Sequence, residues 1–317
     1  MTRTFEAAPG IIAIDTRMFE RENVTSAYLV TGPRPALVET GSATVAEEVR
    51  EGLRSLGVGP HDLAHIVVTH IHLDHAGGAG TLAPHFPSAT IWVHERGARH
   101  LADPTRLEAS ATRIYGEEGL RRLFGAIEPV PADRLRSLTD MDVVDLGDGH
   151  GLTALYTPGH AGHHVALLDS ATGGAFVGDA LGVFLPDVRI LRPATPPPEF
   201  DLELAIQSIE RIRGVDPSRI LFSHFGPVAE VEHVTSLAIK RLERWTRVVE
   251  EALETTDDHA RVAELLREGT SMETNPADAD QERSAGVSQR YELLSSYDMN
   301  AMGIIRYLRK REEASRG

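Results

Sequence analysis

Cysteine is absent from this chain, which excludes disulfide bonds, thiolate nucleophiles and thiolate metal ligands. Lysine is scarce: Lys240 and Lys310 are the only two, and arginine supplies every other fixed positive side chain. No stretch approaches the roughly 18 consecutive apolar residues that a membrane span needs. The first residues also lack the long apolar run and small-residue cleavage site of a secretory signal. These absences predict a cytoplasmic protein with no membrane partner.

The charge balance is acidic, with a formal net charge of −15 and an isoelectric point near 5.4. A field of that sign repels phosphate backbones, so nucleic acid is not an expected partner. Hydrophobic residues make up 41% of the 317 residues, which is enough to build a sizeable core. The composition therefore indicates a folded protein, and we expect its partner to be a small-molecule substrate.

Short β-rich runs alternate with helix-period segments through the first two-thirds of the chain. The predicted strands cover residues 11–15, 26–31, 36–39, 65–69, 90–93, 152–157, 164–169, 175–177 and 219–222. Residues 44–56 predict a helix that begins with a capping box of Thr44 and Glu47. Asp201 is expected to cap a further helix.

The character of the chain changes after about residue 227, where strongly helical segments flank a polar stretch at 267–284 that we expect to be a loop. We therefore predict a catalytic domain at 1–227 and an α-helical extension at 228–317 that completes or covers the core. An apolar stripe in this extension fits either core packing or a homodimer contact. Its members are Trp245, Val248, Val249 and Leu253.

Four of the predicted strands end just before side chains that can bind a metal ion, and strand ends are where sheet folds gather their chemistry. The candidates, in order, are His70, His72, Asp74, His75, His160, Asp179 and His224. Neutral imidazole and carboxylate suit zinc, manganese or iron. Seven such groups are too many for one tetrahedral ion, and they fit two ions bridged by a carboxylate and a water.

A single histidine near a strand end is more often hydrogen-bonded or solvated than bound to a metal. We interpret the isolated histidines of this chain in that way. They are His61, His65, His85, His94, His100, His150, His233 and His259.

The ordered motifs VETGS, THIHLDH, TPGH, VGDA and SHFGP resemble those of the metallo-β-lactamase superfamily of metal-dependent hydrolases, over roughly residues 10–227. The resemblance implies an α+β fold, an αββα sandwich of two mixed sheets packed face to face with helices outside, followed here by the C-terminal α-helical extension. It also implies two ligand sets with one bridging carboxylate. His70, His72 and His160 would hold one ion, Asp74, His75 and His224 the other, and Asp179 would bridge them.

The chain departs from the family pattern at Glu39, where the family usually has aspartate before Thr-Gly. The implied role of that residue is to orient the ligand loop by hydrogen bonds rather than to bind metal. Three further residues are secondary candidates for the pocket: His163, His164 and Tyr115. For Tyr115 a packing role is favoured.

Two bound divalent ions would lower the pKa of a shared water and supply hydroxide as the nucleophile. Zinc is favoured, with manganese and iron left open. Asp74 is the catalytic candidate, because it could take or relay the proton of that water. The sequence thus predicts a dinuclear hydrolase of a small ester, thioester or lactone, similar to the glyoxalase II-like and lactonase-like branches of the family.

Three alternatives remain open at this point. The first is an iron oxidoreductase similar to the persulfide dioxygenases, with His70, His160 and Asp179 on a single iron. The second is a phosphodiesterase, which the acidic charge disfavours for nucleic-acid substrates. The third is a non-catalytic metal or ligand sensor.

Overall fold

The computed structural model describes residues 3–185, 188–274 and 281–316. The chain divides into two compact units, each assembled from separate stretches. The first unit comprises Met1–Tyr156, His163–Gly178 and Pro217–Pro227, and the second comprises Thr157–Gly162, Asp179–Asp216 and Val228–Gly317. The domain boundary expected at residue 227 stays a prediction.

Seven strands form the first sheet in their order along the chain. They are β1 (Thr4–Ala8), β2 (Ile11–Asp15), β3 (Ser26–Val30), β4 (Ala36–Val38), β5 (His65–Val67), β6 (Thr90–His94) and β7 (Leu135–Leu138). Strands β1 to β4 pair antiparallel and β4 to β7 pair parallel. The sheet is therefore mixed, and the H-x-H-x-D-H motif follows β5, a strand of its parallel half.

Six strands form the second sheet, and a two-stranded hairpin stands apart from it. In chain order these are β8 (Val143–Gly147), β9 (His150–Tyr156), β10 (Val165–Asp169), β11 (Gly174–Phe176), the hairpin strands β12 (Val183–Leu185) and β13 (Ile190–Arg192), β14 (Arg219–Phe222) and β15 (Gly226–Val228). The six-stranded sheet runs in the order β15-β14-β11-β10-β9-β8. β11 pairs parallel with β14, whereas β8 to β11 pair antiparallel.

The helices of the first unit lie between its strands along the chain. They are α1 (Ala46–Ser55), α2 (Leu73–Ala76), α3 (Ala79–Leu82), α4 (Glu95–Ala102) and α5 (Thr105–Phe124). The second unit is mainly helical. Its described helices are α6 (Leu202–Gly214), α7 (Val231–Leu253), α8 (His259–Thr274), α9 (Gln281–Leu294) and α10 (Tyr297–Arg316).

Two apolar layers hold the first unit together, because alternate residues of a strand point to opposite faces of the sheet. On one face of the first sheet Val38 joins Leu167 and Phe176 of the second sheet in a single buried cluster. On the other face Leu37 packs with Val49 of α1 in a separate cluster. The order helix, sheet, sheet confirms the α+β class and the face-to-face packing of two mixed sheets.

Two local predictions were wrong. Residues Ala43–Val45 form a short 3-10 turn and α1 begins at Ala46, so there is no capping box. The Thr44 hydroxyl pairs instead with Ser42 Oγ at 2.7 Å. Both described ends of the polar stretch expected to be a loop are helical: α8 reaches Thr274 and α9 begins at Gln281, while 275–280 lie outside the described residues. Packing of α8 against α7 overrides the weak helix propensity of this stretch.

Other local predictions were confirmed. Asp201 caps α6 by accepting a hydrogen bond from the Leu204 main-chain nitrogen at 3.0 Å. Trp245 is buried in α7 and stacks on Tyr297 of α10, with ring centroids 5.2 Å apart, so the apolar stripe packs in a core. Across the described ranges, none of the helices is both long enough and apolar enough to cross a membrane.

Candidate metal centre

The candidate metal-binding residues of the first unit begin at the edge of the first sheet, where the parallel strands β4 and β5 end. Val38 of β4 lies opposite Val67 of β5 in the ladder, so the residues that follow each strand leave the sheet side by side. The Glu39 main-chain nitrogen continues the ladder by donating to Val67 O at 3.0 Å. As a result, the Thr69 hydroxyl donates to Glu39 Oε1 at 2.6 Å. The carboxyl ends of the strands thus place Glu39 beside the H-x-H-x-D-H motif.

Asp74, His75 and His224 form one compact donor group in the first unit. His75 Nε2 lies 3.2 Å from His224 Nε2, and Asp74 Oδ2 lies 3.6 Å and 3.4 Å from those two nitrogens. Zinc–nitrogen bonds of about 2.0–2.1 Å in tetrahedral geometry place neighbouring ligand atoms about 3.3–3.5 Å apart. The three donors therefore fit a single small divalent ion.

His70 and His72 form a second donor pair in the same unit. His70 Nε2 lies 3.0 Å from His72 Nδ1, and the two rings meet edge to face with centroids 4.5 Å apart. His70 is fully buried, whereas His72 is half-buried. This pair presents two imidazole nitrogens within a separation that a common ion can bridge.

The hydrogen bonds that the protein makes with Nδ1 of these imidazoles determine which ring nitrogen is left for a metal. Because the Thr69 hydroxyl donates its single proton to Glu39, it accepts a hydrogen bond from His70 Nδ1, and the two atoms lie 3.0 Å apart. His224 Nδ1 donates to the Val24 carbonyl at 3.2 Å, and His75 Nδ1 donates to Glu39 Oε1 at 3.2 Å. In all three imidazoles Nδ1 carries the proton and Nε2 keeps its lone pair for a metal.

Glu39 is the common support of this arrangement. Its carboxylate is 2% exposed and accepts hydrogen bonds from Thr69, His75 and Ser223, the last at 2.9 Å. Its backbone lies in the left-handed region at φ 67°, a conformation that residues other than glycine rarely adopt. Such strain persists where surrounding contacts compensate for it. These contacts match the orienting role that the family resemblance implies for this position.

His160 and Asp179 belong to the second unit, where His160 Nε2 lies 3.6 Å from Asp179 Oδ2. The His160 ring repeats the pattern of the first unit, because its Nδ1 donates to the Ala194 carbonyl at 2.8 Å. Gly159 brings the loop against α6 so closely that an added Cβ would lie 2.2 Å from the Ala205 nitrogen. Glycine is required there for the close approach.

The secondary candidates lie around the first-unit donors. His163 stacks on His70 with centroids 6.1 Å apart and rings nearly parallel, and buried His164 lies 5.1 Å from the same ring. Tyr115 is 38% exposed, and its ring packs on Phe124 with centroids 5.0 Å apart, which supports the packing role expected for it.

His65, one of the histidines interpreted as isolated, differs from the candidate metal ligands. His65 is engaged at both nitrogens: Nδ1 accepts from Trp92 Nε1 at 3.1 Å, and Nε2 donates to the Asp145 carbonyl at 3.1 Å. Burial lowers the pKa of His65, with the charge of Arg34 adding to the effect. This ring has no lone pair left for a metal, in agreement with its interpretation.

Sequence reasoning missed three supporting groups. Thr69 and Ser223 each directly precede a donor histidine at a strand end, in the pairs Thr-His and Ser-His, and that recurrence was the available signal. The third is the Ala194 carbonyl. A main-chain acceptor has no sequence signature, because every residue carries one.

Two packed mixed sheets with imidazoles and carboxylates at their strand ends define the class of metallo-β-lactamase folds. The chain belongs to the metallo-β-lactamase superfamily, since the model of that family matches residues 21–224.

Among curated proteins, this chain is 29% identical over 185 residues to the metallo-β-lactamase fold-containing protein ST1585 of Sulfurisphaera tokodaii, covering 56% of this chain and 67% of that protein. It is 30% identical over 191 residues to the acyl-coenzyme A thioesterase MBLAC2 of Gallus gallus, covering 54% of this chain and 63% of the relative. It is also 27% identical over 216 residues to an N-acyl homoserine lactonase of Bacillus cereus, covering 66% of this chain and 73% of the relative.

A crystal structure of ST1585, from Sulfolobus tokodaii, superposes on this chain with a TM-score of 0.67 at 21% identity. The match covers 93% of this chain and 98% of that chain, so the shared fold extends well beyond the region that the family model matches.

Proposed function

We propose that this protein is a dinuclear metal-dependent hydrolase of small-molecule esters, thioesters or lactones. His70, His72 and His160 would hold one ion, Asp74, His75 and His224 would hold the other, and Asp179 would bridge the two. Zinc is the favoured metal. The observation that carries the proposal is the shared tautomer, in which His70, His75, His160 and His224 all donate Nδ1–H to the protein and keep Nε2 for a metal.

The substrate class rests on the relatives and on the charge of the chain. One relative is named as an acyl-coenzyme A thioesterase and another as an N-acyl homoserine lactonase, and both names describe cleavage of an acyl bond. The net charge of −15 weighs against long polyanionic substrates. A small carbonyl substrate is therefore favoured over a nucleic-acid phosphodiester.

When bound, divalent ions would supply Lewis-acid polarisation of the substrate carbonyl and an activated water. Asp74 is suited to handle the proton, because its side chain is 21% exposed whereas His75 and His224 are 1% and 0% exposed. Water can reach Asp74 and not the buried rings. Asp74 would accept the proton of the attacking water and return it to the departing alkoxide or thiolate.

The test is metal analysis combined with a substrate panel. Protein loaded with zinc or manganese is expected to hold two ions per chain and to cleave at least one of an aryl ester, an acyl thioester and an N-acyl lactone. His72→Ala is expected to lower the metal content and abolish turnover. His61→Ala is the matched control, since His61 is exposed and contacts only Ser88 among the hydrogen bonds described for it. It should behave like the parent protein.

Three results would overturn the proposal. One iron per chain with oxygen uptake would identify an oxidoreductase instead. Cleavage restricted to a phosphodiester would remove the acyl substrate class. Metal binding with no turnover of any panel member would favour a sensor.

A further inference from the structure

The Ala194 carbonyl sets the direction of the His160 ring, and its own position depends on the C-terminal helix of the same unit. Ala194 follows β13, in a segment that continues through Pro198 outside the described strands. Its carbonyl accepts the His160 Nδ1 proton at 2.8 Å. A carbonyl in such a segment needs support from elsewhere to stay fixed. That support comes from α10.

Asn300 of α10 binds the residue next to Ala194. Its Oδ1 accepts hydrogen bonds from the Thr195 main-chain nitrogen at 2.8 Å and from the Thr195 hydroxyl at 2.6 Å. Its Nδ2 donates to Ser295 Oγ at 2.8 Å and to the Ser296 carbonyl at 2.9 Å. Asn300 is 1% exposed, and its bonds to Thr195 and Ser295 are buried and shielded from water.

Ser295 holds the other side of Ala194. Its hydroxyl donates to the Pro193 carbonyl at 2.5 Å, so the residues before and after Ala194 are both tied to one network. Both polar atoms of the Asn300 side-chain amide are needed for this network, since Oδ1 fixes Thr195 and Nδ2 fixes Ser295. Aspartate at this position could supply the acceptor and not the donors.

Gly303, one turn further along α10, shows how close the helix lies to this segment. A Cβ at Gly303 would stand 1.7 Å from the Thr195 carbonyl oxygen, which real structures do not tolerate. The contact is with backbone and cannot be relieved by moving a side chain. The helix and the Ala194 segment are thus in direct main-chain contact over the turn that carries Asn300.

We propose that Asn300 is a positioning residue for the metal centre: it holds the Ala194 carbonyl in place and through it fixes the tautomer and direction of the His160 imidazole. This inference rests on the proposed function, in which His160 is a ligand. Partners that orient a ligand typically contribute about 10–100-fold to metal affinity, and Asn300 acts one step further out.

The test compares two variants of α10. Asn300→Asp keeps the shape and removes the amide donors. Tyr307→Phe is the control, because it also removes one side-chain hydrogen bond of the same helix, the part-buried bond from Tyr307 OH to Glu203 at 2.6 Å, without touching residues 193–195. Zinc affinity is measured by chelator competition, and the absorption spectrum of the cobalt-loaded protein reports the ligand geometry.

Asn300→Asp is expected to weaken zinc binding about 10-fold and to shift the cobalt spectrum, while Tyr307→Phe changes zinc affinity less than about twofold and leaves the spectrum alone. If Asn300→Asp does not fold, Thr195→Val is the milder variant, since it removes only the hydroxyl bonds to Asn300. It is expected to produce the same spectral shift at smaller amplitude.

His160→Ala distinguishes a failure of the proposed ligand set from a failure of the proposed role of Asn300. If His160→Ala binds zinc like the parent, the proposed ligand set is wrong. If His160→Ala loses zinc but the folded Asn300 and Thr195 variants retain the affinity and cobalt spectrum of the parent, the positioning role of Asn300 alone is overturned.

Discussion

His75 in the first unit and His160 in the second are held in the same tautomer by different acceptors. His75 Nδ1 donates to a carboxylate, 3.2 Å away at Glu39, and His160 Nδ1 donates to a main-chain carbonyl, 2.8 Å away at Ala194. A hydrogen bond to an ionised acceptor is roughly twice as strong as one between neutral groups. The first ring is therefore held mainly by charge, and the second mainly by the position of the chain.

The two acceptors also differ in what holds them. The Glu39 carboxylate is fixed by hydroxyls that follow neighbouring strands, Thr69 and Ser223. The Ala194 carbonyl belongs to a segment fixed by Asn300 and Ser295 near the start of α10. A carboxylate can be removed by substitution, whereas a main-chain carbonyl can only be displaced. Substitution can therefore test the Glu39 carboxylate directly, whereas the Ala194 carbonyl can be tested only through the residues that hold it in place.

The largest effect should come from removing the imidazoles themselves, which tests whether both belong to metal sites. His75→Ala and His160→Ala are each expected to lower zinc affinity by more than about 100-fold, beyond the range of supporting partners, and to abolish turnover. Equilibrium dialysis followed by elemental analysis measures the loss. An ordinary zinc content in either variant would show that only one of the two rings is a ligand.

The next largest effect is expected from changing Glu39, the carboxylate that holds the His75 ring. Glu39→Ala is expected to weaken zinc binding about 10–100-fold, because His75 loses its acceptor and Thr69 its anchor. Glu39→Asp should be tolerated, since aspartate accepts the left-handed backbone better than most residues and keeps the charge. Glu39→Gln keeps the length without the charge and should fall between them. Parental affinity in the alanine variant would remove Glu39 from the centre.

The smallest effect concerns His65, the imidazole whose two nitrogens are both occupied by the protein. Because burial lowers its pKa in the folded state, the unfolded chain takes up a proton first as the pH falls below about 6.5. The free energy of unfolding then declines on acidification, by at most about 1.4 kcal/mol per pH unit for this group.

Denaturant unfolding of the parent and of His65→Gln at pH 7.5 and 5.5 checks this prediction. Metal ligands titrate in both proteins, so the difference between the two pH responses isolates His65. The variant should show the shallower decline. Equal declines would mean that His65 is protonated as easily in the folded protein as in the unfolded one.

The sequence was most informative where chemistry is encoded in side chains at strand ends. IIAID and RILF are strands with the expected bounds, and the H-x-H-x-D-H motif follows β5 as expected. Local helix propensity gave the wrong prediction where tertiary packing determines the structure, as in the residues from 267 to 274, which continue α8. Thr195 and Asn300 lie 105 residues apart, and neither carries a motif that announces their contact.

The placement of α10 limits how far this protein can be reduced. All seven proposed donors fall within the region that the family model matches, residues 21–224, while Asn300 and Gly303 fall outside it. A minimal fragment cut to that region would retain every proposed ligand and lose the helix that carries Asn300, the proposed support for the His160 acceptor. If Asn300 acts as proposed, trimming this chain or exchanging its C-terminal helices with those of relatives changes the proposed metal centre while every proposed ligand stays in place.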